Sequence, residues 1–198
     1  MYSHSRKKLR ISFNAPVTLT FSALCLIACV IIQATGNSAV RAVFSVYRSS
    51  LRDPMAWVRC LTHVLGHAGW DHLIGNMMFI LLLGPMVEEK YGSKNTVIVI
   101  LATAAVTGAV NMIFFPRVAL LGASGVAFAF ILISSVTARE DNTIPVTFIL
   151  VALLYLGREI YDGLTVKDNV SQMAHVIGGA VGSVLGFLLG KAKKKGRF

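Results

Sequence analysis

Charge is what this chain has least of. Asp, Glu, Lys and Arg make up 14% of its 198 residues, where a soluble domain carries about 25%. With a mean hydropathy of +0.68, that shortage excludes a soluble globular domain and points to a bilayer. Several uncharged runs reach the ~20 residues needed to cross its apolar core. Acidic residues are scarcest, nine against 19 Lys and Arg, for a net charge of +10. The basic excess gathers at the two ends, at Arg6, Lys7, Lys8 and Arg10 and at Lys191, Lys193, Lys194, Lys195 and Arg197. Basic residues beside apolar spans mark the cytoplasmic side and attract anionic lipid, so the expected partner is the bilayer and no nucleic acid is expected. The three cysteines, Cys25, Cys29 and Cys60, have neither metal nor redox spacing. There is also no internal repeat of the kind that marks many transporters.

What is present divides into six apolar segments. Residues 11–40 hold no charged residue, and their centre, 17–32, is the first expected span. It is longer than the core of a cleaved leader, so a retained helix is expected. Residues 36–70 mix arginines with Val43, Phe44, Met55, Trp57 and Leu61, a blend suited to short helices at the membrane surface. Further spans are expected over 72–87, 96–115, from Ser124 to before Arg139, 142–157 and 171–190. The expected fold is all-α, a polytopic six-helix transmembrane bundle over residues 15–190, with basic cytoplasmic tails at 1–14 and 191–198. An even number of spans puts both tails on one side.

That topology sets depth. Spans two, four and six then run in the same direction, so their first turns share one level near the outer surface. His72 and Asn76 fall on span two, Ser124 on span four and His175 on span six. Polar side chains inside a membrane are costly and signal function, although single ones also act as glue between helices. His72 and Asn76, at i and i+4, share a helix face. Gly178, Gly182, Gly186 and Gly190 follow His175 at helical spacing, and Gly122 and Gly125 flank Ser124, so close approach of spans four and six is expected.

A serine hydroxyl needs a base before it can attack, and histidine, with an ordinary pKa near 6.5, suits that task. No carboxylate lies at this depth, which leaves a Ser-His dyad of Ser124 and His175. The start of a helix offers N–H groups and a favourable dipole to an oxyanion. Asn76 and His72 are candidate side-chain donors. No cofactor or metal is expected. His63 and His67 are also at i and i+4, but Val64 stands where a zinc-protease motif needs glutamate, so a structural role in the outer loop is the expectation. Glu88, Glu89, Arg158 and Glu159 read as interface or loop-anchoring charges.

Four stretches together resemble the rhomboid family of intramembrane serine proteases. They are Thr62-His63-Val64-Leu65-Gly66-His67, His72-Leu73-Ile74-Gly75-Asn76-Met77, Gly122-Ala123-Ser124-Gly125, and Ala174-His175-Val176-Ile177-Gly178 with Gly182. The resemblance implies a six-helix bundle with a wet site opening outward. It implies Ser124 as nucleophile, His175 as base and then acid, and an oxyanion hole of His72, Asn76 and the Ser124 N–H. It implies transmembrane proteins as substrates, cut near their outer end. Phe128 stands where many members carry a tyrosine, and Val58 separates Trp57 from Arg59 where the family has an adjacent Trp-Arg pair. A non-cutting relative that binds membrane helices would be favoured if Ser124 or His175 were missing, and both are present.

Overall fold

The computed structural model describes residues 12–35, 38, 40–137, 146, 149–150, 153–154 and 169–194. Among them the chain is all-helical, with one isolated antiparallel bridge between Val46 and Leu120. The N-terminal tail to residue 11, most of the expected fifth span, the loop with Arg158, Glu159 and Tyr161-Asp162-Gly163-Leu164, and residues 195–198 lie outside the described residues.

Helix α1 (Pro16–Thr35) opens with proline, whose missing N–H is no loss in a first turn. Its next two N–H groups, of Val17 and Thr18, each donate to the Glu88 carboxylate at 2.9 Å. The Thr18 hydroxyl adds a third bond at 2.9 Å and the Ser93 hydroxyl a fourth at 2.7 Å. Glu88 therefore caps α1 and fastens it to the turn between the next two long helices. It does not follow a span in a loop. It is buried in the last turns of one, because four donors offset the cost of burying its charge.

The long connection holds a short π-helical turn (Val40–Phe44), α2 (Pro54–Thr62) and a 3₁₀ turn (His63–Leu65), so it contains short helices, as expected, and is not an unstructured linker. Asp53 caps α2 by accepting from Met55 N at 3.0 Å. Arg59 is buried and donates to Asp53 at 2.9 Å and to Ser49 at 3.0 Å, with its guanidinium 4.6 Å from the centre of the Tyr47 ring. Trp57 lies on the open side and donates to Leu51 O at 3.1 Å. The split Trp57/Arg59 pair thus folds the 47–53 segment back onto α2 from two directions.

Helices α3 (Trp70–Tyr91) and α4 (Ser93–Phe114) are joined at Gly92, whose φ is +82°. Both are long and apolar enough to cross a bilayer, as is α1. Helix α3 extends beyond the expected 72–87 at both ends, since Asp71 lies in its first turn and Glu88 is satisfied inside it. Large apolar side chains stand exposed along all three, among them Ile27, Ile31, Met78, Leu82, Leu101 and Ile113. Such an outward apolar surface belongs in lipid.

Helix α5 (Ser124–Thr137) begins where expected and is the centre of the fold. Every residue from Gly125 to Ile133 is buried, as an all-apolar helix requires. Helix α6 (Asn169–Lys194) packs along it. In the expected fifth span, Val146, Ile149, Leu150, Leu153 and Leu154 are helical and exposed.

Candidate active site

The loop from Phe115 to Ala123 delivers Ser124 to the first turn of α5, and three elements hold that loop. Val46 and Leu120 exchange backbone hydrogen bonds at 2.9 and 2.8 Å. The Asn111 amide, from the last turn of α4, donates to Val46 O at 3.0 Å and Val118 O at 3.1 Å. Gly122 N donates to His63 O at 2.9 Å, and Ala123 N to His67 Nε2 at 3.5 Å. The connection between α1 and α3 therefore determines where the serine sits.

Gly122 is glycine for two separate reasons. Its φ is +128°, a region that L side chains avoid. A Cβ there would also stand 2.8 Å from both Cε1 and Nε2 of His72, and 3.8 Å from Asn76 Nδ2. These distances bring Gly122, His72 and Asn76 together beside Ser124. His72 and Asn76 do lie one turn apart on α3, in its first two turns. Asn76 is buried, and its Nδ2 has no hydrogen-bond partner among the described residues. A buried amide without a partner costs roughly 1–3 kcal/mol, so it stands poised to donate.

Ser124 is half-buried. The first bond within α5 runs from Ala127 N to Ala123 O at 2.9 Å. The N–H groups of Ser124, Gly125 and Val126 therefore precede the helix ladder and have no partner within it. They make the start of α5 a positive helix end, two residues beyond Gly122, which adjoins His72 and Asn76.

Helices α5 and α6 meet through glycine. A Cβ on Gly178 would fall 2.3 Å from Gly125 O, and one on Gly182 2.5 Å from Ala129 Cα. A Cβ on Gly186 would sit 3.4 Å from Ile133 Cγ1. The pairs advance by four residues on both helices, so the two run parallel in register. Phe128 is buried with its ring against Gly179, where a Cβ would come within 2.6 Å of Cδ1. His175 lies in α6 three residues before Gly178 and four before Gly179. Its side chain is outside the described residues.

His63 and His67 do not form a pair. His63 Nε2 lies 3.2 Å from Thr107 Oγ1 and its Nδ1 3.3 Å from Arg59 O, while His67 Nδ1 lies 3.0 Å from Leu65 O. Burial pushes His63 down to about 4, and burial followed by the nearby His72 does the same to His67. His67 carries more of the site than its sequence position suggested, because it touches both the serine loop and His72. The only signal for it was its place between His63 and His72.

Residues 54–192 match the Rhomboid domain family. The chain belongs to the rhomboid family. Rhomboid-like protein 11, chloroplastic, of Arabidopsis thaliana is 30% identical over 151 residues, covering 69% of this chain and 54% of its own length. Rhomboid protease GluP of Bacillus subtilis is 29% identical over 173 residues, covering 83% of this chain and 33% of its own. Rhomboid protease GlpG of Haemophilus influenzae is 25% identical over 182 residues, covering 90% and 93%. The chain thus spans about half of the plant relative and a third of the Bacillus one. Rhomboid membership and the three apolar helices of spanning length make this a multi-pass membrane protein.

Proposed function

We propose that this rhomboid is an intramembrane serine endopeptidase that cuts transmembrane proteins near their outer end. Ser124 Oγ attacks the carbonyl carbon of the scissile peptide as His175 takes the hydroxyl proton. The oxyanion is held by the Ser124 N–H, the Asn76 amide and His72. His175 then gives its proton to the leaving amine, and water hydrolyses the acyl-enzyme by the same route in reverse. The dyad works without a carboxylate and needs no cofactor. Six spans over residues 15–190 carry this site, with both basic tails, 1–14 and 191–198, in the cytoplasm and the site opening to the outer side of the cell membrane.

The observation that carries this reading is the Asn76 amide, buried beside Gly122 with no partner at Nδ2 among the described residues. An unspent donor next to a free helix start suits a charge that appears only during reaction, and one such donor is commonly worth about 3 kcal/mol. The register of α5 on α6 supports His175 as the base. Stepping back along both helices from Gly125 and Gly178 brings Ser124 and His175 to within about a turn of the same level.

Labelling of the full-length protein in detergent with a fluorophosphonate probe tests the proposal without a known substrate. The parent is expected to label, and Ser124→Ala and His175→Ala to fail while remaining folded. Asn76→Ala should lower the rate about a hundredfold with substrate binding little changed. Full labelling of Ser124→Ala would overturn the mechanism.

A further inference from the structure

A groove of about 310 Å³ runs between the first halves of α1 and α4, away from the proposed active site. Val17, Thr20 and Leu24 form one wall, and Val97, Ile100 and Leu101 form the other. On α1 those positions are i, i+3 and i+7, so they make one continuous stripe. Val97 and Leu101 lie i+3 and i+7 from Lys94, which is exposed in the first turn of α4. The apolar stripe of α4 therefore ends in a cation at the membrane surface.

Both walls begin at the same end of the molecule, because Glu88 binds the first N–H groups of α1 and the Ser93 hydroxyl together. The Glu88 charge does not compete for a ligand at Lys94, since it is 4% exposed and accepts from four donors. Glu89 and Lys90, at the end of α3, carry opposite charges and so add no net charge there.

We propose that this groove is a binding site for an anionic glycerophospholipid, with one acyl chain against the α1–α4 stripes and the headgroup phosphate at Lys94. Lipid fills any apolar groove on a spanning helix. The end charge makes this one selective, as basic sites between transmembrane helices select anionic headgroups. The proposal rests on α1 and α4 spanning the bilayer, and it does not depend on the protease chemistry.

Native mass spectrometry of the full-length protein, titrated with phosphatidylglycerol or phosphatidylcholine, tests it. One basic residue near an anionic headgroup is worth about a fivefold preference. The parent is expected to bind its first phosphatidylglycerol at least fivefold more tightly than phosphatidylcholine, and Lys94→Gln to remove about a fivefold share of that preference. Thr20→Trp and Leu101→Trp fill the groove from opposite walls and are expected to weaken both lipids. Equal affinity for the two lipids, an unchanged preference in Lys94→Gln, or undiminished binding in both groove-filled variants would overturn the site. Fluorophosphonate labelling is expected to match the parent in all three variants. Absence of labelling in the parent itself would overturn the protease proposal and leave the lipid result standing.

Discussion

The ring of His67 meets that of His72 edge to face, with centroids 5.0 Å apart and planes inclined by 66°. The Leu65 carbonyl 3.0 Å from His67 Nδ1 accepts only, so Nδ1 carries the proton and Nε2 is left to accept from Ala123 N. One neutral imidazole thus connects the residue before Ser124 to a proposed oxyanion donor. His67→Ala removes the ring contact and leaves the Ala123 N–H without its acceptor, a loss of roughly 1–3 kcal/mol. Fluorophosphonate labelling should slow about tenfold or more and the melting temperature should fall. A variant that melts earlier yet labels at the parental rate would confine His67 to a purely structural role.

Acid should unfold this protein through the same connection. His63 and His67 titrate near 4 in the folded state because burial opposes their charged forms, while the unfolded chain takes up those protons near 6.5. Between about 6.5 and 4 the unfolded state binds more protons, so stability falls as pH falls through that window. Each unit of difference is worth about 1.4 kcal/mol. Melting temperatures measured in detergent from pH 7.5 to 5 should drop steeply, and His67→Gln should flatten the slope by about one proton. An equal slope in parent and variant would show that His67 charges freely in the fold.

Much of this was legible in residue order alone. The apolar runs gave the spanning helices, the i, i+4 spacing put His72 and Asn76 on one face, and the glycine stripe after His175 foretold the close approach of α5 and α6. What local sequence did not reveal was held by long-range bonds. Glu88 looked like a loop charge because its donors, Val17 and Thr18, lie about 70 residues earlier. Asn111 and Val46 were silent because a buried amide and a bridge residue have no periodic signature. His67 looked structural because its acceptor role depends on Ala123, 56 residues away. The far end of α3 moved for the same reason, since Glu88, satisfied by distant partners, continues a helix that local composition would stop.

Two glycines with positive φ allow strain and crowding to be separated. Gly92 has φ +82° and open space where a Cβ would sit. Gly122 has φ +128° and would drive a Cβ into His72. Gly92→Ala should cost only the backbone strain, roughly 1–3 kcal/mol, and leave labelling intact. Gly122→Ala adds displacement of His72, so labelling should fall by a hundredfold or more even in molecules that remain folded. Comparable labelling by the two variants would mean that His72 moves aside without consequence, and would remove it from the oxyanion site.

The parallel seam of α5 on α6 makes a graded prediction along its length. At Gly178 a methyl group would meet backbone, 2.3 Å from Gly125 O and 2.7 Å from its Cα, and backbone cannot swing away as a side chain can. At Gly186 it would meet Ile133 Cγ1 at 3.4 Å, which is ordinary contact. Gly178→Ala should therefore force the helices apart beside Ser124. A shift of about 1 Å at a reacting centre costs on the order of a hundredfold in rate, so labelling should nearly vanish. Gly186→Ala should label as the parent does, and melt at or slightly above its temperature, because alanine favours a helix by up to ~1 kcal/mol over glycine. If both variants labelled normally, the seam would be too pliable to set the distance between Ser124 and His175. If Gly186→Ala alone failed, the register between the two helices would have to differ from the one that pairs Gly125 with Gly178.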